Sequence, residues 1–195
     1  MVSGRKTAPP FAPPEPALEL GRLYETHAQT VARWAARLCG PALDAEDIVQ
    51  EVFLVVERRL AEFRGEAPVT TWLYRITANV VRHQRRKQRW RRFLGGSSTD
   101  VAGEIASSRP TPIEELERRR AAALVYRVLD GMAEKYRSVL ILFELEGLSG
   151  ETVAGLLGLK MPTVWVRLHR ARALFLERLR LLEPPQEDDA PRGRA

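Results

Sequence analysis

The stretch Asp44-Ala-Glu-Asp-Ile-Val-Gln-Glu-Val-Phe53 carries the first decision about the fold. Asp44 is a residue type whose side chain accepts a hydrogen bond from the free N–H groups of a first helical turn. Behind it Ile48, Val49, Val52, Val56 and Leu60 return every three or four residues, the spacing of one buried stripe on an α-helix. The pattern stops near Arg64 and Gly65. The opposite side of the same helix holds Asp47, Gln50, Glu51, Leu54 and Arg58, a solvent-facing row rich in carboxylates and amides.

Upstream, Leu20, Tyr24, His27, Val31, Trp34 and Leu38 set the same period, and Gly40 with Pro41 closes it. Downstream, a third helix follows Pro68, with Thr70 or Thr71 as its cap and Leu73, Ile76 and Val80 inward. From Leu94 to Ile113 the composition turns to Gly95, Gly96, Ser97, Ser98, Ser107, Ser108, Pro110 and Pro112 with no sustained period, which reads as a linker. A second helical block steps through Leu124, Val128, Leu129 and Met132, then Val139, Leu140 and Phe143, and ends at Pro184 and Pro185. Strand patterns are scarce. The expectation is an all-α fold: two small helical domains, 18–93 and 114–183, joined by a flexible linker over 94–113. A Pro-rich extension over 1–17 and a polar tail over 184–195 are expected to be disordered.

A chain of 195 residues accommodates two bundles of under about 90 residues each. Apolar runs such as Val52 to Val56 fall far short of the about 20 residues a membrane span needs, so no membrane insertion is expected. Pro9, Pro10, Pro13, Pro14 and Pro16 break up the start, against a secretory signal. Cys39 is the single cysteine, which excludes an internal disulfide, and the chain fits a reducing cytoplasm. His27, His83 and His169 are scattered, and no H-E-x-x-H, phosphate-cradling Gly loop or nucleophile motif appears. Neither an enzyme nor a cofactor or metal site is therefore expected.

The formal charge is +6, yet Arg82 to Arg92 alone contains seven Lys or Arg and no acid, leaving the remainder at about −1. So concentrated a stripe fits a polyanion, with nucleic acid the commonest; a solvated helix end is the other reading. Trp72, Arg75, Asn79, Arg82, Arg86 and Arg89 step by three or four and share one face. Aromatic rings stack on exposed bases, an Asn amide reads a base edge and Arg neutralises phosphates, a combination suited to single-stranded DNA. Trp72 equally fits a core position.

Near the other end, Ser149 can cap a short helix with Val153, Leu156 and Leu157 inward, Gly158 allows a tight turn, and a second helix starts near Pro162. With Val164, Leu168 and Ala171 inward, Trp165, Val166, His169 and Arg170 project outward, where they could enter a major groove. Helical hairpins also occur in proteins that never touch DNA.

Several of these motifs together resemble the sigma-70 family of RNA polymerase sigma factors, in its extracytoplasmic-function group. Asp44 to Phe53, then Phe63-Arg-Gly and Thr71-Trp-Leu-Tyr-Arg-Ile-Thr-Ala-Asn79, are similar to sigma region two. Leu148-Ser149 through Thr163-Val164 to Arg167-Leu168-His169-Arg170-Ala171-Arg172 is similar to region four. The resemblance covers most of Leu20 to Leu182 in the family's order and spacing, and several motifs agreeing at once is more specific than any one.

The resemblance implies that Asp47, Gln50, Glu51 and Leu54 dock on the clamp helices of core RNA polymerase. It implies that region two opens the minus-ten element of promoter DNA through Trp72, Arg75, Asn79, Arg82 and Arg86, with Asn79 at the pocket for a flipped base. It implies that region four reads the minus-thirty-five element through Trp165, Val166, Arg167, His169, Arg170 and Arg172, with Arg167 and Arg172 on phosphates. An anti-sigma factor covering the same surfaces is an implied partner. Along the recognition helix the chain departs from the family, carrying Pro162, Trp165 and Val166 where a small, a basic and a serine residue are usual, so direct readout leans on His169 and Arg170. Trp165 could instead pack on a neighbouring helix. The rival reading is a stand-alone helix-turn-helix regulator, which leaves the acidic row around Asp47 and the row from Trp72 to Asn79 without a task.

Overall fold

A computed structural model describes residues 19–94 and 112–182. The Pro-rich extension, most of the expected linker and the polar tail lie outside the described residues. Among those described, the secondary structure is helical with no strand: α1 (Leu20–Cys39), α2 (Ala45–Arg59) and α3 (Val69–Phe93), then α4 (Pro112–Asp130), α5 (Glu134–Leu140), α6 (Gly150–Leu157) and α7 (Met161–Leu182). A π-helical turn, Ile141–Leu145, extends α5.

Local chemistry sets most boundaries. Asp44 accepts from the Glu46 N–H at 2.8 Å and so starts α2. Ser149 does the same for Thr152 at 3.2 Å to start α6, and Gly158, with φ of 64°, ends that helix in the left-handed conformation favoured by glycine. Gly40, with φ of 69°, ends α1; a Cβ there would run into the Tyr126 ring. The start of α3 differs from the sequence expectation. The Thr71 and Trp72 N–H groups both donate to the Pro68 carbonyl, so the helix begins at Val69 and Thr71 is buried inside its first turn instead of capping it. Pro68 lacks the donor that the turn would leave unsatisfied, and this lets the helix start earlier. At the other end of the linker, α4 already begins at Pro112.

Ile48, Val52, Phe53 and Val56 of α2 meet Val31, Trp34, Ala35 and Leu38 of α1 and Leu73, Ile76 and Val80 of α3. Burying side chains of this kind contributes about 1.5–3 kcal/mol each before ordering costs. On α1 the inward residue is Leu23, and Tyr24 turns outward, half exposed, with its ring edge-on to Phe53 at 4.7 Å.

The two halves pack on one another, and the buried cluster runs through both. Polar contacts also cross the seam. The buried Arg137 of α5 donates to the Leu38 carbonyl at 2.7 Å and lies 3.7 Å from Asp130, which pairs with Arg85 of α3 at 2.8 Å. Arg33 and Arg37 of α1 both reach Glu146, at 3.0 and 3.3 Å, and the Tyr126 hydroxyl donates to the Arg37 carbonyl. No helix among the described residues is long and apolar enough to cross a membrane.

Candidate nucleic-acid interface

Three outward rows carry the residues singled out in the sequence. On α3, burying Leu73, Tyr74, Ile76, Thr77, Val80 and Val81 turns Arg75, Asn79, Arg82 and Arg86 to solvent. Trp72 belongs to both worlds. It is half-buried and packs on Phe63 with ring centroids 4.9 Å apart, which fixes the ring at the margin of the row. The Asn79 Oδ1 accepts from Arg82 Nη1 at 2.9 Å, so the amide is oriented before any ligand arrives. Among the described residues, Arg75 and Arg86 form no ion pair.

The basic stretch is not one uniform face. Arg85 is buried against Asp130, and Arg89 donates to the Asp130 carbonyl at 2.9 Å. Arg89, placed by its spacing on the row with Asn79, thus reaches sideways into the seam. Arg85 stands four residues after the buried Val81, so helical spacing places it on the inner face, but its partner lies on another helix in the second half of the chain.

On α2, Asp47, Gln50 and Leu54 are exposed, Leu54 at 52%. Glu51 is different: half-buried, its carboxylate accepts a short hydrogen bond from Gln84 Nε2 and braces α2 against α3. The outward row of α2 is therefore two exposed polar groups and an exposed leucine beside a carboxylate already in use.

In the second half α6, the Gly158 turn and α7 form the helix-turn-helix. Val164, Leu168 and Ala171 are buried; Trp165, Val166, His169 and Arg170 face outward, and Arg167 is half-buried. Trp165 is 47% exposed, yet its ring meets Phe143 edge-on at 5.5 Å and leaves no room for a side chain on Gly150. Packing and exposure thus coexist in this residue. Arg172 is tied to Glu144 at 2.6 Å and lies over the Phe143 ring. The Arg170 guanidinium draws the Tyr136 phenol below its usual range.

Sequence reasoning overlooked Arg137, Gln84 and Trp90. Arg137 stands three residues before Leu140 and four before Ile141, so helical spacing alone places it on the inner face. Burial, and then the neighbouring Arg85, pulls its guanidinium down to about 10. Trp90 continues the three-and-four spacing beyond Arg86.

Comparison with known proteins finds two family models on the chain. The family model for sigma-70 region 2 matches residues 23–91, and the model for sigma-70 region 4 matches residues 122–175. The RNA polymerase sigma factor CnrH of Cupriavidus metallidurans is 32% identical over 157 residues, covering 78% of this chain and 82% of that protein. The ECF RNA polymerase sigma factor SigL of Mycobacterium tuberculosis is 34% identical over 157 residues, covering 79% and 85%. Among solved structures, CnrH in complex with the cytosolic domain of CnrY superposes with a TM-score of 0.54 at 25% identity, covering 84% of this chain and 89% of that one. The sigma factor RpoE of Bartonella quintana, bound to the anti-sigma factor NepR, shares the fold with a TM-score of 0.57 at 22% identity, covering 84% and 98%. With both region models falling in order on the helices that carry the three rows, the chain belongs to the extracytoplasmic-function group of the sigma-70 family, and it directs RNA polymerase to promoters.

Proposed function

We propose a division of labour along the chain: α2 holds core RNA polymerase, α3 opens the minus-ten element, and α6 with α7 reads the minus-thirty-five element. The observation that carries it is the α3 row, where an oriented amide at Asn79 lies between guanidiniums at Arg75, Arg82 and Arg86 beside a fixed indole at Trp72. Holding a base outside the duplex costs a few kcal/mol of stacking and pairing, to be recovered by ring contacts and hydrogen bonds to the base edge. The α3 row contains both kinds of group. Trp165, Val166, His169 and Arg170 supply the groove-facing contacts of the second half, with Arg167 and Arg172 on phosphates. Asp47, Gln50 and Leu54 supply the docking contacts of α2, with Glu51 holding the helix in place.

The two elements lie about 25 base pairs apart, roughly 85 Å at 3.4 Å per step. With the seam closed, Arg75 is so near the helix-turn-helix that a Cβ on Gly158 would lie 3.2 Å from its guanidinium. Engaging both elements at once therefore requires the seam to open. An anti-sigma factor that favours the closed form is a fitting cytoplasmic partner, and complexes of the similar proteins CnrH and RpoE support that assignment.

Two variants test the reading with core polymerase. Asp47→Lys should lose at least tenfold in competition for core enzyme and keep its thermal stability, because Asp47 is exposed. Asn79→Ala should assemble normally but leave promoter thymines protected from permanganate. Normal competition by the first, or normal thymine reactivity with the second, removes the corresponding residue from its role.

A further inference from the structure

The outward face of α3 does not end at Arg86. One helical turn further on, His83, Arg86, Lys87 and Trp90 surround an open hollow of about 370 Å³. Trp90 is 61% exposed, and Phe93, 85% exposed, meets it edge-on at 6.3 Å. A single exposed ring is ordinary on a protein surface. Two adjacent large rings on the water side of the most basic segment of the chain combine stacking surface with positive charge.

The inner side of this segment is anchored. Gln88 Nε2 donates to the Ala42 carbonyl at 2.6 Å, Arg85 is paired with Asp130, and Arg89 is bonded to the Asp130 carbonyl. Trp90 is thus carried on a helix held from behind by three contacts. Among the described residues, Arg86 and Lys87 form no ion pair, so the charge around the hollow is not neutralised from within.

We propose that Trp90, framed by His83, Arg86 and Lys87, stacks an unpaired base of the promoter strand, as a second base-holding position on α3 beyond Asn79. The proposal rests on the reading of the α3 row given above. Asn79 and Trp90 lie on the same side of the helix, about 16 Å apart at roughly 1.5 Å per residue. That separation is about five stacked nucleotides at 3.4 Å each. Paired DNA would satisfy Arg86 and Lys87 but keep its bases stacked on one another, leaving both rings in water. A single strand satisfies the cations through its phosphates and the rings through its bases.

The test uses holoenzyme assembled from the full chain and core RNA polymerase. The probes are a random-sequence pool of labelled single strands of roughly a dozen nucleotides and a random-sequence duplex of roughly twenty base pairs. Trp90→Ala should weaken single-strand binding about tenfold and duplex binding less than about twofold, and Trp90→Phe should retain most of the single-strand affinity. Thermal melting should be unchanged, as the ring is largely exposed. Equal losses on both probes would make the hollow a phosphate surface and overturn the stacking role. No loss on either would mean that segment 95–111 or the polymerase covers the ring, and would overturn it too. Asn79→Ala in the same holoenzyme separates the two readings. If it impairs promoter opening and Trp90→Ala is silent, only the second position falls; if both are silent, the assignment of the α3 face falls with it.

Discussion

Helices α3 and α7 are both long and both basic, and on the reading proposed above both meet DNA, but they use their cations in different ways. On α3 the commitment follows the side of the helix: Arg85 and Arg89 are drawn into the seam by Asp130, while Arg75 and Arg86 on the outer row pair with no acid among the described residues. On α7 the outer row is itself engaged. Arg172 is held by Glu144, and Trp165 by the edge of Phe143. On the reading proposed here, the face that accepts bases out of the stack leaves Arg75 and Arg86 without an acid partner around a fixed Asn79–Arg82 pair, while on the face that enters a duplex groove Arg172 and Trp165 are held beforehand. Pre-organisation lowers the ordering cost of binding.

The largest effect is expected at the seam that draws in the α3 cations. Arg137 is 1% exposed and donates to Leu38 through Nη2, while its Nε and Nη1 find no hydrogen-bond partner in the structure. Truncation by Arg137→Ala removes the bond to the Leu38 carbonyl, takes one cation from Asp130 and opens a cavity, at a cost of about 2–4 kcal/mol in denaturant unfolding. Arg137→Met fills much of the same space without burying a charge, so it should cost less than half as much and could even stabilise. Equal destabilisation by both would show that the guanidinium itself, not its volume, holds the seam, and that this polar contact is as firmly made as the apolar core.

The second effect reads the same seam through pH. Burial pushes the Cys39 thiol up to about 11 from 9.0, and Arg137 is among the groups that pull it back down. An acid with a raised folded-state pKa stabilises the fold fully below its unfolded value. That contribution is lost as pH rises from about 9 to about 11, because the unfolded chain gives up its proton first. The loss amounts to roughly 2–3 kcal/mol at the top of the window. Cys39→Ala should flatten this alkaline limb, and Arg137→Met should deepen it and carry its end to higher pH while its onset stays near the unfolded thiol value. An alkaline limb that is identical in wild type and Cys39→Ala would assign it to other groups.

Much of this molecule was legible in its sequence because short-range rules decide it. The caps at Asp44 and Ser149, the turn at Gly158 and the stripes of α2 and α7 follow from spacing within one helix. Thr70 and Thr71 were misplaced because Pro68, with no N–H to satisfy, lets the helix start before them. Leu23 and Tyr24 exchange roles because one residue is a rotation of about 100°, and only the position of Phe53 decides between them. The seam was invisible for another reason. Arg85 with Asp130, Arg33 with Glu146 and Arg137 with Leu38 are pairs far apart in sequence, and helical spacing, which places Arg85 and Arg137 on inner faces, does not name the partner each one meets. The same limit hid the engagement of Glu51 with Gln84 and of Arg172 with Glu144.

The smallest expected effect is also the most direct probe of how α3 and α7 differ. On the α3 row, removing an unpaired cation should weaken DNA binding and reduce its salt dependence: Arg86→Ala should lower the slope for single strands by about 0.7. On α7 the sign can be reversed, because there a carboxylate competes with the phosphate. Glu144→Gln removes the negative charge that holds Arg172, and the guanidinium then has only the Phe143 ring beneath it, a contact worth about 0.5–1 kcal/mol at an exposed site. Both members of the ion pair are roughly half exposed, at 53% and 41%, so breaking it should change stability by less than about 1 kcal/mol. Duplex binding should become tighter at low salt, and the salt slope steeper by up to about 0.9, as one more cation meets a phosphate. If instead Glu144→Gln weakens duplex binding at every salt concentration, the carboxylate is an aiming device: Arg172 reaches its phosphate only when Glu144 holds it. In that case α7 depends on its internal pairing for function, and the contrast with the unpaired row on α3 becomes one of mechanism as well as of structure.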